Sequence, residues 1–115
     1  MEKNVKFSIL CQIYGNLLTK NQLEIITDYY DKDLSLSEIA ENNKITRQAV
    51  RDIIQKSEKK LQELEEKLYF MERQLEQEKI LSNVIRKLSK LEEEEVKAEN
   101  KKIIKNTICE LKKIL

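Results

Sequence analysis

One glycine, Gly15, and no proline in 115 residues leave this chain few places to break a helix and few residues suited to turning one strand into the next. The expected fold is all-α. Residues 4–18 place Val5, Ile9, Ile13 and Leu17 at steps of four, with Leu10, Tyr14 and Leu18 alongside, which is one apolar stripe on a helix. Gly15 either weakens that helix by about 1 kcal/mol relative to Ala or lets a neighbouring backbone approach. Thr19 and Gln22 have capping-box spacing for a second helix, whose apolar side carries Leu23, Ile25, Ile26, Tyr29 and Tyr30 before the polar connection Asp31-Lys32-Asp33. Tyrosines at helical spacing beside Ile and Leu read as packing residues rather than as a base-stacking platform.

Residues 34–56 carry the densest local signal. Ser35 and Glu38 form another capping box, Ile39 and Ala40 point inward, and Ile45, Val50 and Ile53 complete the inward set beyond Asn42-Asn43-Lys44. That is helix-turn-helix spacing. Thr46 can cap the second helix, whose outward positions Arg47, Gln48, Arg51, Asp52, Gln55 and Lys56 are donor-rich side chains of the kind that read base edges and phosphates in a major groove. Two of the chain's four arginines, Arg47 and Arg51, sit one turn apart there.

Charge is sorted by segment. The net charge is +1, which excludes a globally basic mode of nucleic-acid binding. Residues 46–60 hold five cations against Asp52 and Glu58, a local +3; residues 61–100 carry −4 and residues 101–115 carry +4. Cys11 and Cys109 stand far apart with no histidine anywhere, so no metal site and no redox motif can be assembled, and both read as small buried apolar residues. No cofactor is implied. With no signal segment and no apolar run of about eighteen residues, no membrane association is expected and a reducing, cytoplasmic setting is.

From Leu61 the pattern becomes that of a helical seam: Leu61, Leu64, Leu68, Met71 and Leu75 alternate steps of three and four. These are the expected oligomerisation residues. The register slips before Leu81, Val84, Leu88 and Leu91, which predicts either a rotating seam or a bend near Ser82 and Asn83. A last amphipathic helix carries Val96, Ile103, Ile104, Ile108, Leu111, Ile114 and Leu115. Its lysines match the acidic 61–100 segment. Two parts are expected, a headpiece over 1–60 and an oligomerisation or interaction extension over 61–115.

The run Tyr14 to Gln22, then LSLSEIAENNKITRQAV, then a leucine-spaced acidic helix, resembles the YlxM family of helix-turn-helix proteins over residues 5 to about 75. The resemblance implies a headpiece like the promoter-reading domain of bacterial sigma factors, with Thr46, Arg47, Gln48 and Arg51 facing the groove. It also implies a regulatory link to the signal recognition particle pathway, inferred for the family from gene position. One departure stands out: the family places a bulky apolar residue and then Asn at the tight turn, whereas this chain has Asn43 and Lys44. Looser packing of the two helices is implied, and either Asn43 or Lys44 must take a left-handed backbone, which Asn tolerates better.

The expected function is duplex-DNA binding by a homodimer acting in transcription regulation. A patch of +3 makes few phosphate contacts, so one headpiece alone binds weakly. The alternative is an interaction module for a signal recognition particle protein or its RNA, since fold alone does not fix function. No acid-base pair or activated nucleophile is set up, so enzymatic activity is not expected.

Overall fold

A computed structural model describes residues 1–115. It contains α1 (Lys3–Tyr14), a 3-10 turn (Gly15–Leu17), α2 (Lys20–Tyr30), α3 (Leu36–Asn43), α4 (Arg47–Leu68), α5 (Phe70–Glu93) and α6 (Ala98–Lys112), and no strand. The all-α expectation holds. The chain divides into two compact units, Met1–Met71 and Glu72–Leu115.

In the first unit α4 is the hub on which α1, α2 and α3 pack. Its inward positions Val50, Ile54, Ser57 and Leu61 follow helical spacing and are buried, joining Ile25, Ile26 and Ile39 in one core. The buried face of α1 differs from the expected stripe. Phe7, Leu10, Cys11 and Tyr14 are buried, whereas Val5 and Leu17 are exposed. Phe7 explains the rotation: it is larger than its neighbours and stacks on Tyr30, with ring centroids 5.3 Å apart. Gly15 has an ordinary helical backbone, and a Cβ there would come within 2.9 Å of Leu23 Cδ1. It therefore makes room for a side chain and not for a neighbouring backbone.

Both capping boxes form as read. Thr19 Oγ1 accepts from Gln22 N at 3.2 Å while Gln22 Oε1 accepts from Thr19 N at 3.0 Å. Ser35 and Glu38 repeat the exchange at 3.1 and 3.3 Å.

The extension begins differently from the sequence expectation. Leu61 is 0% exposed in the headpiece core, and Leu64 and Met71 pack against that core. A side chain with no accessible surface cannot also meet a second chain, so Leu61 is no oligomerisation contact and the headpiece extends past residue 60. The helix also breaks earlier. Tyr69 takes φ 57° between α4 and α5, which takes Leu68 and Leu75 out of one continuous seam. In return α5 runs unbroken through Ser82 and Asn83.

In the second unit, α5 has no buried residue and α6 has one, Ile108. Cys109 is exposed, contrary to expectation, because it lies away from the half-buried face marked by Ile104, Ile108 and Leu111. The ion pairs of Lys3 with Glu58 and of Lys32 with Asp28 lie in the headpiece. No helix is long and apolar enough to cross a membrane.

Candidate nucleic-acid interface

The interface is built by the turn between α3 and α4. At the end of α3, Ile45 N donates to Ala40 O at 3.1 Å and Lys44 N to Glu41 O at 3.3 Å, the paired bonds of a Schellman ending. Such an ending needs one left-handed residue. Lys44 supplies it, with φ 56° and ψ 42°. Asn43, the residue better suited on intrinsic grounds, stays helical and uses its side-chain amide to donate to Ile39 O at 2.8 Å. Thr46 then caps α4, its Oγ1 accepting from Ala49 N at 3.0 Å.

The turn therefore closes tightly in spite of its departure from the family pattern. Ile39, Ala40, Val50 and Ile54 are all buried beneath it. Ile54 takes the inward role expected of Ile53, which is only half-buried, and Ile45 remains 36% exposed at the rim. The reason is register: α4's buried line through Val50, Ile54 and Leu61 leaves residue 53 on its flank.

Thr46, Arg47, Gln48, Arg51, Asp52, Gln55 and Lys56 are all exposed. Thr46 and Arg47 stand at the start of α4, and the other five divide between two sides of it. Gln48, Asp52, Gln55 and Lys56 lie opposite the buried line of α4, and Gln48 Nε2 donates to Asp52 Oδ1 at 2.9 Å. That bond orients the amide but uses only one of its two donors. Arg51 lies on the flank, in an open depression of about 210 Å³ whose walls include Lys3, Tyr29, Gln55 and Glu58. Glu58 is already engaged there, accepting from the Tyr30 hydroxyl and pairing with Lys3 Nζ at 3.8 Å. Its charge is therefore partly offset, which leaves the cations of α4 to dominate the face.

Two further residues join the surface. Lys59 shares a shallow depression with Asp52, Gln55 and Lys56; its spacing of seven from Asp52 and four from Gln55 placed it on that face in the sequence. Lys3 reaches the Arg51 depression from α1, a juxtaposition with no local sequence signal. Fixed donors, mobile cations and one carboxylate on a rigid helix can hydrogen-bond base edges and neutralise phosphates. No group of three or more His, Cys, Asp or Glu residues is placed to hold a metal ion.

The profile of the family described as "Putative helix-turn-helix protein, YlxM / p13 like" matches residues 1–106. The UPF0122 protein of Clostridium botulinum (strain Alaska E43 / Type E3) is 42% identical over 88 residues, covering 76% of this chain and 81% of that one. The UPF0122 protein of Malacoplasma penetrans (strain HF-2) is 52% identical over 68 residues, 59% of this chain and 64% of its own. That of Clostridium perfringens (strain SM101 / Type A) is 48% identical over 68 residues, 59% of this chain and 61% of its own. The match thus spans less than two thirds of the latter two proteins.

Proposed function

Since the chain belongs to the YlxM- and p13-like family of helix-turn-helix proteins, we propose that it binds duplex DNA by laying the exposed face of α4 in the major groove. The observation that carries this reading is the capped, Schellman-closed turn that presents Arg47, Gln48, Arg51, Gln55 and Lys56 on one solvent-facing helix. Arg47 and Arg51 contact guanine or phosphate, Gln48 reads adenine, and Gln55, Lys56 and Lys59 follow the backbone.

A local +3 and one or two bidentate contacts, each worth about 1–3 kcal/mol, make a single headpiece a weak reader. Two linked headpieces give avidity and require a spaced, pseudo-palindromic site. The functional unit is accordingly a homodimer that acts on transcription in the cytoplasm. The link to the signal recognition particle pathway rests on family resemblance, and the lysine-rich residues 101–115, a local +4, support a protein- or RNA-binding role there as the second reading. A binding selection offering random duplex DNA and signal recognition particle RNA together separates them. Enrichment of a spaced duplex motif supports the first reading, and enrichment of RNA alone overturns it.

A further inference from the structure

We propose that Asp52 is a positioning residue that sets base preference: by holding one donor of the Gln48 amide, it makes Gln48 select adenine over guanine. The inference rests on the α4 reading proposed above and deepens it at a single base position.

Gln48 is the second residue of α4, at the helix end whose side chains approach base edges in helix-turn-helix docking. One turn on stands a carboxylate. Asp52 Oδ1 accepts from Gln48 Nε2 at 2.9 Å, and both residues are exposed. The direction of that bond follows from chemistry, because a carboxylate offers only acceptors and therefore turns the amide nitrogen, not the amide oxygen, towards itself.

The bond changes what the amide has left to offer. A free glutamine amide carries two N–H donors and one carbonyl acceptor, and rotation about its last side-chain bond exchanges the two ends. Two donors suit the paired O6 and N7 acceptors of guanine, whereas one donor with the carbonyl suits the N7 acceptor and N6 donor of adenine. Once Asp52 holds one N–H, a single donor and Oε1 remain. That set complements adenine; against guanine it leaves one base acceptor unpaired or sets Oε1 towards it.

A carboxylate on a DNA-facing helix also repels phosphate. Lys56 and Lys59, four and seven residues after Asp52, line the same depression and offset that charge. The gain is discrimination, reached by penalising the wrong base rather than by adding a contact to the right one.

Fluorescence anisotropy of the full chain, on duplexes carrying adenine or guanine at each position of a selected site, tests the proposal. Gln48→Ala identifies the position that Gln48 reads. There wild type binds adenine at least about fivefold more tightly than guanine, and Asp52→Ala brings the ratio to within about twofold, with circular dichroism unchanged. In a Gln48→Ala background, Asp52→Ala leaves the ratio where Gln48→Ala alone puts it, because Asp52 acts through the amide. Removal of a charge by itself shifts affinity for both duplexes alike and does not move this ratio. A wild type indifferent between the two bases, an Asp52→Ala ratio equal to wild type, or a change confined to a base that Gln48→Ala does not affect overturns the proposal. All three outcomes are read on a chain that binds duplex DNA, so they are distinct from failure of the α4 reading, in which wild type binds no duplex and this proposal falls with it.

Discussion

Tyr14 and Glu65, 51 residues apart in sequence, meet through a 2.7 Å bond from the tyrosine hydroxyl to Glu65 Oε1, and between them they cap the first turn of α5. The same oxygen accepts from Met71 N at 2.9 Å, and the Tyr14 hydroxyl accepts from Phe70 N at 3.2 Å. Two amides that a helix start leaves without partners are thereby satisfied by side chains from α1 and α4. The Tyr14 and Phe70 rings stack beside them, with centroids 6.1 Å apart.

Glu65→Ala should therefore cost about 1–3 kcal/mol, since it removes a carboxylate acceptor from a buried hydroxyl and from a helix terminus together. Urea unfolding followed by circular dichroism measures the loss. Glu66→Ala, at an exposed neighbour, should stay within about 0.5 kcal/mol of wild type.

Lys44 holds a left-handed backbone that an L side chain adopts at a cost of about 1–2 kcal/mol. Lys44→Gly should raise stability by about 0.4–1 kcal/mol, while Ser35→Ala should lower it by about 1 kcal/mol through loss of the α3 cap. Thermal unfolding of the two variants should move in opposite directions; a shared direction would contradict the assigned backbone at one of the two sites.

Alkaline pH should destabilise the fold. Burial, with a smaller contribution from Asp31, pushes the Cys11 thiol from 9.0 up to about 11. Burial and the Glu58 bond raise Tyr30, and burial and the Glu65 bond raise Tyr14. These groups ionise first in the unfolded chain, so their contribution is complete below the unfolded values, and the Cys11 part declines from about pH 9 until it is lost near pH 11. Urea midpoints should fall between about pH 8 and about pH 10.5, and Cys11→Ser should fall less. Thiol alkylation of the native protein should modify exposed Cys109 well before Cys11.

Asp52 lies among the exposed donors of the α4 face and is bonded to Gln48. Asp52→Asn keeps an acceptor for that amide and removes a charge that repels phosphate, so DNA affinity should rise at low salt and the gain should shrink as salt is added. Filter binding across a salt series reads both effects.

How much of this was legible in the sequence depends on whether the governing interaction was local. Thr19, Ser35 and Thr46 cap helices through partners three residues away, and all three caps were readable from spacing. The exposed face of α4 was readable for the same reason. The buried side of α1 was not, because Phe7 is drawn inward by Tyr30, 23 positions on, and not by its own helix. The break at Tyr69 was also hidden: no glycine or proline marks it, and its satisfied amides depend on Tyr14. Leu61 illustrates the remaining ambiguity. Its seam spacing is real, yet an apolar stripe does not say whether the chain itself or a second chain will cover it, and here the headpiece does.

The central claim is that α4 reads DNA, and fluorescence anisotropy with a labelled duplex recovered by selection tests it most directly. Arg47→Ala and Arg51→Ala should each weaken binding by about 1–3 kcal/mol, a factor of about five to about 150, with circular dichroism unchanged. Affinity equal to wild type in both variants would contradict the account.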